Sequence, residues 1–256
     1  MFFLLKKFKE FQIRKLKRFV PFKTTYPGFL CYAADKSSFL FMYDEVFNKE
    51  IYKFKNSSEN PRIIDCGANI GLPIAYWLKH FPHAKITAFE PDPEIYKLLQ
   101  KNIKTWTSNN SIELIEAGVT AKGGDLKFYS DGADGGSIHS PVIKNSQNEV
   151  TIKTVTLTDF IKEPIDFLKI DIEGAEYGVL DSVADNLNLV RNIFVEYHSF
   201  VNEEQHLDDI LSILKKAGFR YYIEHIGVRS AYPYIKQESY HGMDLQINIF
   251  GFRNQT

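Results

Sequence analysis

The chain has 256 residues, 44% of them apolar and 14% aromatic, enough for a sizeable core in one medium domain with appendages. A formal charge of −1 supplies no global field toward nucleic acid, and no apolar run reaches the roughly 18 residues of a transmembrane helix. Only Cys31 and Cys66 occur, without disulfide or metal spacing, which points to a reducing, cytoplasmic setting.

In chain order, residues 1–55 read as an N-terminal basic helix and cap. From Met1 to Lys23, Phe, Leu, Ile and Val interleave with Lys6, Lys7, Lys9, Arg14, Lys15, Lys17, Arg18 and Lys23, and Glu10 is the only acid. The opening Met1–Leu5 is too short for a signal-peptide core, and no small-residue cleavage site follows. A basic amphipathic helix of this kind suits peripheral contact with an anionic membrane through residues 1–23. The plainer alternatives are packing over the core or against a second subunit in a homo-oligomer. A second helix is expected near Asp44–Glu50, and Asn56–Pro61 is a loop by composition.

Residues 56–256 alternate strands and helices. Strands are predicted over 62–66, 85–90, 112–119, 165–171, 192–198, 220–224 and 245–252, with helices between them. Pro73 suits the first turn of the helix after the first of these strands, and Asp92 with Pro93 opens the next helix. Residues 203–217 form a late helix ended by Gly218. Residues 126–129 and 150–155 are a predicted strand pair, and the glycine-rich stretch 130–137 between them is long enough for a lid. Repeated βα units predict an α/β fold with a seven-stranded, mostly parallel sheet covered by helices on both faces.

Two constellations carry chemistry. The first is Ile63-Ile64-Asp65-Cys66-Gly67-Ala68-Asn69-Ile70-Gly71 followed by Ala88-Phe89-Glu90-Pro91-Asp92: a strand, a glycine turn into a helix, and a second strand ending in an acid. That arrangement binds an adenosine cofactor. The dinucleotide pattern G-x-G-x-x-G is absent; an acid followed by G-x-x-x-G fits S-adenosylmethionine, whose amino-acid tail replaces the pyrophosphate. Asp65 serves the donor ammonium directly or through water, the amides from Gly67 through Asn69 to Gly71 suit its carboxylate, Glu90 suits the ribose diol, and Glu116 is a weaker candidate for the adenine amino group. The plain reading is a glycine turn that only joins strand to helix.

The second constellation is Asp171, after Leu168-Lys169-Ile170, together with Glu196 and His198 in Phe194-Val195-Glu196-Tyr197-His198. Strand periodicity puts Glu196 and His198 on one face, and neighbouring strands would add Asp171. Two carboxylates and an imidazole suit a divalent metal (Mg, Mn or Fe) that lowers the pKa of an acceptor hydroxyl. Otherwise His198 acts as a metal-free base oriented by a carboxylate, or these are merely polar residues at a strand end. Glu176 reads as an acid favouring a helix N-terminus, Lys169 as a lysine snorkelling from the sheet, and His139, His225 and His241 as weak signals.

Together with Leu157-Thr158-Asp159-Phe160 and Lys169-Ile170-Asp171-Ile172-Glu173-Gly174-Ala175-Glu176, these motifs resemble the FkbM family of S-adenosylmethionine-dependent methyltransferases over roughly residues 60–200. The resemblance implies a Rossmann-like class I methyltransferase acting on a hydroxyl, usually of a sugar or polyketide. Here that would be a sugar or nucleotide-sugar acceptor for surface polysaccharide synthesis. Asp65, Gly67, Asn69, Gly71 and Glu90 match its donor motif; Asp171 and Glu196 match acids of its active site, some relatives being metal-dependent. Leu72-Pro73-Ile74 departs from the aromatic and hydroxyl residues usual there. A nucleic-acid amino methyltransferase would carry N/D-P-P-Y where Asp171-Ile172-Glu173-Gly174 stands. A non-catalytic binding module and a nicotinamide oxidoreductase are the other rivals.

Overall fold

The computed structural model describes residues 2–56, 58–108, 111–129 and 149–253, with side chains from Lys6 onward. The expected lid at 130–137 and His139 lie outside the described residues.

The basic N-terminal helix α1 is Phe2–Arg14, shorter than the charge pattern suggested. It tightens at its end, where Leu16 N donates to Ile13 O at 3.0 Å, and the chain then turns into the small hairpin of β1 (Phe22–Thr24) and β2 (Cys31–Ala33). Helix α2 (Lys36–Tyr43) was not anticipated. Asp35 caps it by accepting from Ser37 N and Ser38 N, and Phe39 and Tyr43, four residues apart, turn inward. The expected helix near Asp44 is a single wide π-turn, Asp44–Asn48, continuing α2.

The main domain follows: β3 (Arg62–Cys66), α3 (Leu72–His80), β4 (Lys85–Phe89) and α4 (Pro93–Trp106). As predicted, Asp92 caps α4, accepting from Glu94 N at 2.9 Å, with Pro93 where no N–H is needed. The single strand expected over 112–119 is two, β5 (Ile112–Ile115) and β6 (Gly118–Val119). Ala117 N folds back to Ile115 O at 3.0 Å, so β6 leaves the main sheet and pairs with β8. A Cβ on Gly118 would lie 3.3 Å from both Ile152 and Thr154, so this crossing favours glycine. β7 (Gly124–Tyr129) and β8 (Glu149–Val155) pair as expected. Then come β9 (Ile165–Ile170), α5 (Glu176–Ser182), β10 (Val190–Phe200), α6 (Leu207–Lys216), β11 (Arg220–His225) and β12 (Met243–Phe252). Helix α6 starts later than predicted because 203–206 offers no apolar anchor before Leu207, and Gly218 (φ +85°) follows its end.

Seven strands form the main sheet in the order β11-β12-β10-β9-β3-β4-β5, parallel except for β12, which runs antiparallel to both neighbours. Strand alternation splits the core. Ile63, Phe167 and Phe194 face α3, α4 and the N-terminal segment, whose Phe39, Tyr43 and Tyr52 share that core. Ile64, Leu168 and Val195 face α5 and α6. Each buried side chain of this size contributes about 1.5–3 kcal/mol. Both cysteines are buried and free, and among the described residues no helix is long and apolar enough to cross a membrane.

Candidate functional site

The sheet grows outward from β3 in two directions, through β4 and β5 on one side and β9 and β10 on the other. The crevice beyond the strand ends at that reversal is where open α/β sheets hold ligands. Both constellations stand there.

On the β4 side the backbone does most of the building. Gly67 N and Ala68 N both donate to Phe89 O, at 3.1 and 2.9 Å, stitching the turn to β4. Gly67 has φ +84°, and a Cβ there would fall 1.9 Å from Asp171 O, so no other residue fits. Asn69 also sits in the left-handed region, at φ +49°. Its side-chain oxygen accepts from Ile70 N at 2.7 Å, and its own N–H donates to Glu90 Oε2 at 2.8 Å. Gly71 caps α3. Glu90 Oε1 accepts from Asp92 N at 2.9 Å, and burial still pushes this carboxyl up to about 8. Glu116 is exposed just past β5. The turn, Glu90 and Glu116 therefore follow three adjacent parallel strands.

Asp65 and Lys169 form a buried link beneath the turn. Lys169 does not snorkel; its side chain is sealed inside. Nζ donates to Gly67 O at 2.8 Å and lies 3.3 Å from Asp65 Oδ1 and 3.2 Å from Asp171 Oδ2. The Asp65 contact is an ion pair without hydrogen-bond geometry, and neither Asp65 oxygen has a hydrogen-bond partner among the described residues. Burial raises the Asp65 carboxyl, with Lys169 opposing. Asp65 thus faces Lys169 under the turn rather than the open crevice.

On the other side the site is made of side chains. β9 ends at Ile170, and Asp171 N donates to Cys66 O at 3.1 Å. β10 outruns β9: their register stops at Val195 opposite Ile170, so Glu196 and His198 rise past the end of β9 on one face. Asp171, Glu196 and His198 each offer a ligand atom within 4.8 Å of the others. Asp171 is a quarter exposed, whereas His198 is sealed. His198 Nδ1 meets Glu176 Oε1 at 2.9 Å, and that carboxylate also accepts from Gly174 N at 3.0 Å. Glu176 is therefore more than a helix-terminus acid: it fixes the imidazole and the turn before α5. His198 Nε2 lies 3.4 Å from Glu196 Oε1 and 3.7 Å from Glu173 Oε2. Burial alone would lower the imidazole, but Glu173 and Glu176, then Glu196, hold it well above its ordinary value. Burial pushes Glu173 up to about 8 against the pull of His198.

Sequence reasoning missed several neighbours. Gln246 lies opposite His198 on β12 and donates to Glu196 Oε1 at 2.7 Å. Glu45, buried in the π-turn, is pushed up to about 8 by burial and then by Glu196, with Asp171 adding. The Tyr52 ring lies 5.9 Å from Lys169 Nζ. None belongs to a motif; the one signal was an acid, Glu45, set among the inward residues Tyr43 and Val46. His225 and His241 are exposed.

This strand order, with a glycine turn after the central strand and an acid after the next, is a Rossmann-like class I methyltransferase fold. The crystal structure of methyltransferase FkbM from Methylobacillus flagellatus KT matches it with a TM-score of 0.51 at 17% identity, over 80% of this chain but only 46% of that one. Residues 65–221 match the methyltransferase FkbM domain, and the chain belongs to that family. Among its relatives, methyltransferase sdnD of Sordaria araneosa is 32% identical over 64% of this chain and 77% of its own length. The hexuronic acid methyltransferase AglP of Haloferax volcanii is 23% identical over 64% of this chain and 65% of its own length.

Proposed function

We propose that this chain is a cytoplasmic S-adenosylmethionine-dependent O-methyltransferase whose acceptor is a sugar hydroxyl, on a nucleotide-activated sugar for surface polysaccharide synthesis. The observation that carries this reading is the convergence of Asp171, Glu196 and His198 beside the Gly67–Gly71 turn at the sheet's reversal point. A hexuronic acid, the substrate in the name of AglP, offers oxygens as methyl acceptors, which favours the sugar class.

S-Adenosylmethionine, as co-substrate, supplies a sulfonium-bound methyl that leaves sulfur with its electron pair behind. The chain's residues have three tasks. The amides from Gly67 to Gly71, expected to meet the donor's carboxylate, all donate within the protein. The side-chain-free turn instead leaves room for the tail, Glu90 holds the ribose, and Glu116 meets the adenine amino group. Asp65 acts through Lys169, fixing the carbonyl of Gly67 and the carboxylate of Asp171. Asp171, Glu196 and His198 bring the acceptor hydroxyl into line; because His198 already holds its proton, a carboxylate of Asp171 or Glu196 takes the hydroxyl's proton and the imidazolium positions them.

The same three residues would hold a divalent cation such as Mg, Mn or Fe. Their donors are hard or borderline, and the bond from Nδ1 to Glu176 leaves Nε2 to face the ion. The carboxylates that keep a proton on His198 would equally favour a cation in its place. Such an ion would lower the pKa of a bound hydroxyl.

Mass spectrometry of a nucleotide-sugar panel, incubated with the protein and donor with and without a chelator, tests this. A methyl ether product lost with chelator supports metal assistance; a product indifferent to chelator assigns proton removal to a carboxylate of Asp171 or Glu196. Donor binding without a product from any sugar would overturn the acceptor class.

A further inference from the structure

We infer that the outward face of α1 and the turn after it form a docking foot for an anionic lipid bilayer. A surface helix ordinarily points its apolar stripe at the core. Here two phenylalanines point the other way. Phe8 and Phe11, three residues apart, are 57% and 55% exposed, whereas Ile13 on the inner side is 4% exposed. On the inner side Lys9 Nζ donates to Thr25 Oγ1 at 2.7 Å, and the Tyr26 hydroxyl to Glu10 Oε2 at 3.2 Å.

The turn after α1 extends the same character. Leu16, Phe19 and Val20 are all exposed, Phe19 at 56%. Phe19 has φ +58°, an outlier for a bulky residue. That conformation is kept by buried Asp35, whose Oδ1 accepts from Phe19 N at 2.7 Å and from Arg18 Nε at 2.8 Å. Strain held in place by a buried carboxylate, with a large aromatic left in solvent as the result, marks a presented side chain.

The charge chooses the partner. Lys7, Lys15 and Lys17 are exposed among these apolar groups, and between Lys6 and Lys23 the only acid is Glu10, which is spoken for by Arg14 at 2.6 Å. Exposed aromatics ringed by lysine fit the headgroup boundary of an anionic bilayer, where rings enter the acyl edge and ammonium groups meet phosphate. A second copy of the chain would bring the same positive face to itself, which charge disfavours.

The test is sedimentation of the full chain with phosphatidylcholine vesicles containing roughly one-third phosphatidylglycerol, against phosphatidylcholine alone. The protein is expected to pellet with the anionic vesicles and release as salt rises. Phe8→Ser/Phe11→Ser and, separately, Lys15→Glu/Lys17→Glu should each weaken binding about tenfold or more, with melting unchanged. All these side chains are exposed, and if one pair lowers melting the other still decides. Equal pelleting of wild type and both pairs, or no pelleting with anionic vesicles, would overturn the inference. So would light scattering that shows a dimer which Phe8→Ser/Phe11→Ser turns into a monomer.

Discussion

The two halves of the crevice rim are built in opposite ways. On the β4 side the binding surface is backbone: a turn with Gly67, Asn69 and Gly71 at positive φ, stitched to Phe89 O, with Glu90 held by two N–H groups. Its parts lie within a short stretch of chain. On the β9 and β10 side the surface is ionisable side chains, Asp171, Glu173, Glu176, Glu196 and His198, braced by the Gln246 amide, and drawn from three separate stretches of chain. A turn recognises a constant ligand and needs little else. A charged cluster that handles a proton has to be assembled, oriented and desolvated by several elements at once. Lys169 is where the halves meet, touching both Gly67 O and Asp171.

The sharpest break between the halves is expected at His198. His198→Ala should lower turnover by about 100-fold or more while donor affinity stays within about twofold, as expected of a group that positions the proton-accepting carboxylates. Steady-state rates with an identified acceptor, beside calorimetric donor binding, check this.

Next in size is Lys169→Met, which should damage both halves. It strands Asp65 without its counter-charge and should cost about 3–5 kcal/mol in thermal or denaturant unfolding. Pairing it with Asp65→Leu should recover much of that stability, whereas no recovery would mean the lysine acts elsewhere.

Glu90→Ala tests the β4 side alone. Loss of a charged acceptor for the ribose hydroxyls should weaken donor binding by about 10- to 100-fold. Glu90 also yields the smallest prediction, a pH effect. It titrates at about 8 in the free protein. Hydroxyls donating to the ionised form would draw that value down, so donor affinity should rise with pH up to about 8 and then level, and Glu90→Gln should flatten the curve. The same shift makes the fold less stable as pH rises from 4.5 to about 8, because the unfolded chain releases this proton first. Melting of wild type against Glu90→Gln across that range reads it directly.

The contrast also explains what the sequence disclosed. The positions of most strands, Asp92 as a cap, and the turn with Glu90 were legible because each rests on local chemistry: period-two apolarity, proline at a helix start, glycine where only glycine fits. Asp171, Glu196 and His198 could be singled out from strand ends alone, but their partners could not. Gln246 reaches the cluster from the antiparallel strand β12, and Glu45 lies buried in the π-turn within its electrostatic influence; no periodicity records either. Lys169 was misread because a lysine in a buried strand ordinarily escapes to solvent; here two carboxylates and a carbonyl compensate its burial. The break between β5 and β6 was invisible because Gly118 signals only a close approach, not the sheet it approaches.

The division of labour across the rim is best tested by calorimetric titration of S-adenosylhomocysteine into wild type, Glu90→Ala and Glu196→Gln. The structure predicts tight binding to wild type, loss of about tenfold or more with Glu90→Ala, and no loss beyond about twofold with Glu196→Gln. Equal loss in both variants, or loss confined to Glu196→Gln, would contradict a donor site on the β4 side and a separate proton-handling cluster on β9 and β10.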